Sequence, residues 1–225
     1  MNVTKKVSKT FEKQDLNAID QYLKDRLDEL DSLARRGDPW IFEACCTFIE
    51  MLAERANTEK NTNTEKKGNR FRNFVQNYLM PSNPLYEAAE NQYPKNKQKK
   101  SHKISNNLWT VLRCGVVHSF SMKADDGEYK ILLGHRKNSK SNISDHLKVV
   151  DVNDETKNYK ALLIMAEDFV EDLKKCTQGI IEKAKQDSKF CDSFTKEFSD
   201  NPPLGWLEWE EESIEQPSVK SSKSA

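Results

Sequence analysis

Apolar residues recurring every three or four positions, sustained over some twenty residues at a time, confine most of this chain to amphipathic helices. Phe11, Leu16, Ile19, Leu23, Leu27, Leu30 and Leu33 mark the first such stripe, which is expected to stop near Gly37. Asp38-Pro39 then supplies an N-cap followed by Pro at the first helical position, and 40–56 reads as a second helix with few charges. Only seven Gly and seven Pro occur in 225 residues, too few for the many turns of a β-sandwich. The fold class is therefore mostly α.

Further along, 57–68 carries no apolar side chain able to offset the entropy of ordering and reads as a loop. A helix over 70–79 should halt before Pro81, and 85–89 adds a turn or two before a lysine-rich connection over 94–103. Ile104, Leu108, Val111, Leu112 and Val116 define the next helix. The period then shortens: 129–133 and 147–152 are rich in aliphatic and β-branched residues and predict a small antiparallel β-hairpin, inserted at about 128–153. A long helix over about 159–185 follows, with Leu162, Met165, Phe169, Leu173, Cys176 and Ile180 on one side, then a shorter one through Phe194 and Phe198. We read 1–203 as a single domain and 204–225 as an acidic, largely flexible tail.

Thirty-six basic residues balance thirty-six acidic ones, so no bulk field draws the whole chain to nucleic acid or to anionic lipid. The charge is distributed unevenly. Between 60 and 103 ten Lys or Arg face three Glu, whereas 197–216 holds only acidic charges. The longest apolar run, 161–166, falls far short of a membrane span, and the first residues lack a signal-peptide core, which predicts a cytoplasmic protein without membrane association. Five cysteines with no CxxC pair suit a reducing compartment, and adjacent Cys45 and Cys46 read as small buried hydrophobes. Neither His135 nor His146 sits in a metal-ligand spacing, and no Gly-rich phosphate loop or Gly-x-Ser-x-Gly elbow occurs, so no metal or cofactor is assigned.

The chemistry-bearing stretch is Arg113-Cys114-Gly115-Val116-Val117-His118 at the close of an apolar helix. Arginine presents a permanently charged planar fork that matches phosphate, and histidine changes charge near neutral pH. Five positions of α-helix would separate the two side chains by about 140°, so the helix is expected to end near His118 and let the imidazole swing toward the guanidinium.

Preceded by amphipathic helices, Leu112-Arg113-Cys114-Gly115-Val116-Val117-His118 resembles the Arg-x4–6-His motif of the HEPN superfamily. The resemblance covers the motif, the helices of roughly 11–120 and the long helix near 159–185. It implies an up-and-down helical bundle that forms a homodimer, with two motifs lining one cleft. It further implies a metal-independent endoribonuclease, of the kind found among toxins and antiviral effectors, with an antitoxin or regulatory protein as a further partner. Arg113 and His118 would be catalytic, the first holding the scissile phosphate and the second transferring protons, with RNA cut by 2′-OH attack to a 2′,3′-cyclic phosphate. Many active members carry Asn, Asp or His after the Arg, where this chain has Cys114. Arg70, Arg72, Lys97, Lys99, Lys100 and Lys103, from the basic stretch, are the candidate RNA-binding residues. The alternative is a non-catalytic HEPN-like module that binds nucleotide, RNA or protein through the same helices.

Overall fold

The computed structural model describes residues 15–56, 67–92, 103–114, 130–136, 145–153 and 158–202. Helix α1, Leu16–Arg36, starts where the Asp15 carboxylate accepts a hydrogen bond from the Asn17 amide. It ends on Gly37 at φ 74°, where the amides of Gly37 and Asp38 return to the carbonyls of Ala34 and Leu33. This is a Schellman cap, whose left-handed residue favours glycine. Ile19, Leu23, Leu27 and Leu30 are all buried along one stripe, each contributing about 1.5–3 kcal/mol on removal from water. Phe11 lies outside the described residues.

Asp38 shapes the turn ahead of the helix, its carboxylate accepting from the Trp40 amide at 2.9 Å, but regular α2 spans Ile41–Arg55, so Trp40 takes the N-cap position expected of Asp38, and Pro39 lies in the turn before it. The α2 core face buries Ile41, Phe42, Cys45, Cys46, Ile49 and Leu52, which makes the two thiols the small apolar fillers their neighbours predict.

The third helix begins earlier and runs further than its pattern indicates. Helix α3, Lys67–Phe74, passes without a break into a π-helical segment, Val75–Leu79, and a closing turn, Met80–Ser82. The Met80 amide bonds to the Val75 carbonyl five residues back. The widened turn accommodates Pro81, which has no N–H and whose ring would crowd an α-helical carbonyl. Helix α4 is Leu85–Gln92, and α5, Ile104–Asn107, runs into a second π segment, Leu108–Arg113.

A small β insertion accompanies the helices, but its strands differ from those of the expected hairpin. Strands β1, Lys130–Gly134, and β2, Lys148–Asn153, do not pair with each other. Between them lies β3, Asn158–Met165, parallel to β1 and antiparallel to β2. The start of the expected long helix is therefore a strand. A run such as Ala161-Leu162-Leu163-Ile164-Met165 suits a central strand buried on both faces as well as it suits a helix, and two partner strands supply its hydrogen bonds. Helix α6, Ala166–Gln186, starts directly after it, and α7, Ser188–Asp200, closes the described chain.

Helix α1 packs along α6, α2 along α3, and α7 returns against α6 and α2. One cluster of buried residues runs from Ile19 to Phe198 and includes the stacked Phe190 and Phe194 rings, with Phe198 edge-on to Phe194. Inside it lies a polar knot. His146 Nδ1 accepts from the Met165 amide at 3.1 Å, which leaves its Nε2–H to donate to Asp172 at 3.0 Å. The Asn83 side-chain amide donates to the other Asp172 oxygen at 2.8 Å, so strand, helix and loop are tied at one carboxylate. Beside His146, buried Leu147 adopts φ 60°, a left-handed conformation unfavourable for a branched side chain, held by its amide donating to the Leu163 carbonyl.

Candidate functional site

Three of the arginines singled out from sequence meet on one side of the molecule, where α3 and the π segment after α5 lie against α2. The centrepiece is Trp109. Its indole packs against the Phe71 ring at 5.3 Å, and the guanidinium groups of Arg113 and Arg72 lie 5.0 and 5.7 Å from the indole ring centre. Cation–π contacts of this kind fix a guanidinium plane and contribute about 0.5–1 kcal/mol each. Gly68 gives the indole room, since a Cβ there would stand 2.7 Å from Trp109 Cε2.

Arg113 is anchored a second time. Its Nε–H donates to Glu50 Oε1 at 2.6 Å, and only 13% of the Arg113 side chain is exposed. The hydrogen bond to Glu50 raises the Arg113 pKa above its ordinary value, so the group stays charged at any working pH. Arg70, from α3, lines with Glu50, Ala53 and Glu54 a small cavity of about 30 Å³. Burial, and then the neighbouring Glu50, push the Cys46 thiol beneath this cluster far above its usual range.

The π-helical register matters here. The Cys114 amide bonds back to the Trp109 carbonyl, five residues away, so this turn is wider than an α turn just where Trp109 and Arg113 project. Widened turns of this type recur at functional sites.

Other expected site residues are placed differently. Lys103 is exposed at the start of α5, ten positions before Arg113 and, at 1.5 Å per residue, about 15 Å along the helix. It does not join the cluster. His118, Lys97, Lys99 and Lys100 lie outside the described residues. Phe71 and Phe74 are buried and belong to the core.

Two participants escaped the sequence reading. Glu50 belongs to the outward, acid-bearing face of α2, and nothing in its local pattern connects it to a residue 63 positions away. Trp109 was detectable, since it precedes Arg113 by four positions, the spacing that places two side chains on one helical face. Among the described residues no group of three or more His, Cys, Asp or Glu is arranged to hold a metal ion, and no helix is long and apolar enough to cross a membrane. Comparison with protein-family models, with curated proteins and with solved structures returned no match.

Proposed function

We propose that this chain is a HEPN-like, metal-independent endoribonuclease whose phosphate-binding group is Arg113. The observation that supports the reading is the double restraint on that side chain: Glu50 fixes its Nε while Trp109 supports the guanidinium plane, with Arg72 alongside. A guanidinium held before substrate arrives loses little entropy when it grips a phosphate, and it stabilises charge that grows on the phosphoryl oxygens in the transition state. In the proposed reaction the RNA 2′-oxygen bonds to the adjacent phosphorus as its proton is removed. The bond from phosphorus to the 5′-oxygen breaks, and the departing oxygen takes up a proton. The products are a 2′,3′-cyclic phosphate and a 5′-OH end, with His118 as the proton-transfer group.

The test is cleavage of a labelled RNA in EDTA by wild type, Arg113→Ala and His118→Ala, with end-group analysis of the products. The reading requires cleavage by wild type with cyclic-phosphate ends, and loss of at least a hundredfold in either variant with the fold and self-association retained. Absence of cleavage by wild type across structured and single-stranded RNAs would overturn it. In that case a non-catalytic binding module becomes the better reading, favoured by the open groove between α1 and α2 described next.

A further inference from the structure

A groove of about 620 Å³ runs between α1 and α2, its base and walls formed by Tyr22, Leu30, Phe48 and Met51. Trp40 stands at one end with 53% of its surface exposed, the largest exposed apolar side chain among the described residues. We propose that this groove is a docking site for a cationic amphipathic helix of a partner protein.

Charge supplies the first argument. The cations of the groove are already engaged: Arg26 pairs with Glu29 at 2.9 Å, and Arg55 donates to the Met51 carbonyl while covering the Phe198 ring. Glu50 is held by Arg113. Glu43 and Glu54 line the same groove and make no ion pair among the described residues. The lining therefore carries four carboxylates, Glu29, Glu43, Glu50 and Glu54, against two arginines, Arg26 and Arg55, above an apolar floor, and this acidic excess calls for a ligand with an apolar stripe flanked by Lys or Arg.

Geometry supplies the second. Glu43 and Glu54 are eleven positions apart on one helix, close to three full turns, so both face the same way at a separation of about 16 Å. Trp40, Ala44, Phe48 and Met51 follow the same face. A helix laid beside α2 presents cations three turns apart to that pair and an apolar stripe of i, i+4, i+7 and i+11 residues to the floor. From residue 40 to 54 the groove is about 21 Å long. A helical backbone with small side chains, about 10 Å across, occupies roughly 1,600 Å³ over that length, so the groove takes in somewhat more than one third of it, as expected for a helix seated on one face.

The acidic rim argues against the other occupants. RNA and anionic lipid carry the wrong sign. A second copy docked about a two-fold axis through this face would bring Glu43 and Glu54 against the same carboxylates of its partner.

The experiment uses the full chain and a fluorescein-labelled synthetic 14-residue Leu/Lys peptide designed as an amphipathic helix, titrated by anisotropy at 50 and 300 mM salt. A peptide of identical composition with its apolar stripe scrambled is the control. The expected result is saturable one-to-one binding, at least tenfold weaker for the scrambled peptide. Trp40→Ala should weaken it about tenfold, as truncation of an anchoring aromatic does. Glu43→Gln with Glu54→Gln should weaken it about fivefold and flatten the salt dependence. Asp25→Asn with Asp28→Asn, on the exposed surface of α1 away from the groove, should leave binding unchanged. Equal binding of both peptides, equal loss in the Asp25/Asp28 variant, or no binding would overturn the proposal. So would sedimentation showing a dimer that Trp40→Glu dissociates, since a second copy would then own the groove. None of these readouts depends on RNA cleavage.

Discussion

Gly68→Ala places two opposing effects in one side chain, and the structure decides which is larger. Gly68 is the second residue of α3 and is buried against Trp109. Alanine is the better helix former by about 1 kcal/mol in a helix interior, and by somewhat less in the first turn. The added methyl, however, would stand 2.7, 2.9 and 3.0 Å from Cε2, Nε1 and Cζ2 of the indole, against the 3.5–4.0 Å of an ordinary carbon contact. An overlap of roughly 0.7 Å at three atoms has to be relieved. The indole is not the loose end of a flexible chain, because Phe71 packs on it and the Arg72 and Arg113 guanidiniums lie over it. Overpacking of this type costs about 1–3 kcal/mol, so the net effect is a destabilisation of about 1–2 kcal/mol. For a chain of this length that lowers Tm by about 3–6 °C. Circular dichroism melts measure it, and a changed tryptophan emission maximum in the folded variant should accompany the shift. A variant that melts a few degrees higher than wild type with an unaltered spectrum would refute the reasoning, since helix propensity would then outweigh a contact that the indole had yielded at little cost.

Three further outcomes are expected. Glu50→Gln and Arg113→Ala should each destabilise the fold in urea, with a double-mutant coupling of about 1 kcal/mol for a charge pair mostly sheltered from water; strict additivity would show that the pair contributes nothing. Burial, reinforced by the Asp172 carboxylate, pushes the Cys176 thiol up from about 9 to about 12. Because the folded-state value is the higher one, the resulting stabilisation is complete below pH 9 and is lost as pH rises from there toward 12. Urea midpoints should fall through that window, less steeply in Cys176→Ala, and native-state alkylation at pH 8 should spare Cys45, Cys46 and Cys176, all buried, relative to Cys114 and Cys191. Asp172→Asn turns one acceptor into a donor that faces either the His146 Nε2–H or the Asn83 amide, a buried mismatch costing about 2–4 kcal/mol. A loss under 0.5 kcal/mol in equilibrium unfolding would mean that the knot rearranges freely.

The candidate stretch was legible in the sequence as chemistry and illegible as geometry. Arg113 and the neighbouring arginines at 70 and 72 stand out by charge and position; the structure brings Arg72 and Arg113 over Trp109, and Arg70 lines a small cavity with Glu50. What an alignment-free reading lacks is Glu50, whose pairing with Arg113 spans 63 positions, and the π-helical turn, which no residue pattern in Leu108–Arg113 announces. Lys103 stands about 15 Å along the helix from Arg113, apart from that cluster.

The chain by itself determined the apolar stripes of its first two helices and where the first of them ends. The stripe in α1, its Gly37 stop and the Asp38 turn are local matters, settled by side-chain periodicity and by which backbone groups within a turn lack partners. Tertiary structure decided the rest. Ala161–Met165 became a strand because two flanking strands completed its ladder, and His146 turned inward because Asp172 and the Met165 amide received both of its nitrogens. Trp40 stayed outside while its helix was buried. Local periodicity shows which face of an element is apolar, but the neighbour that covers that face, or leaves it open, is fixed only when distant segments compete for the same contacts.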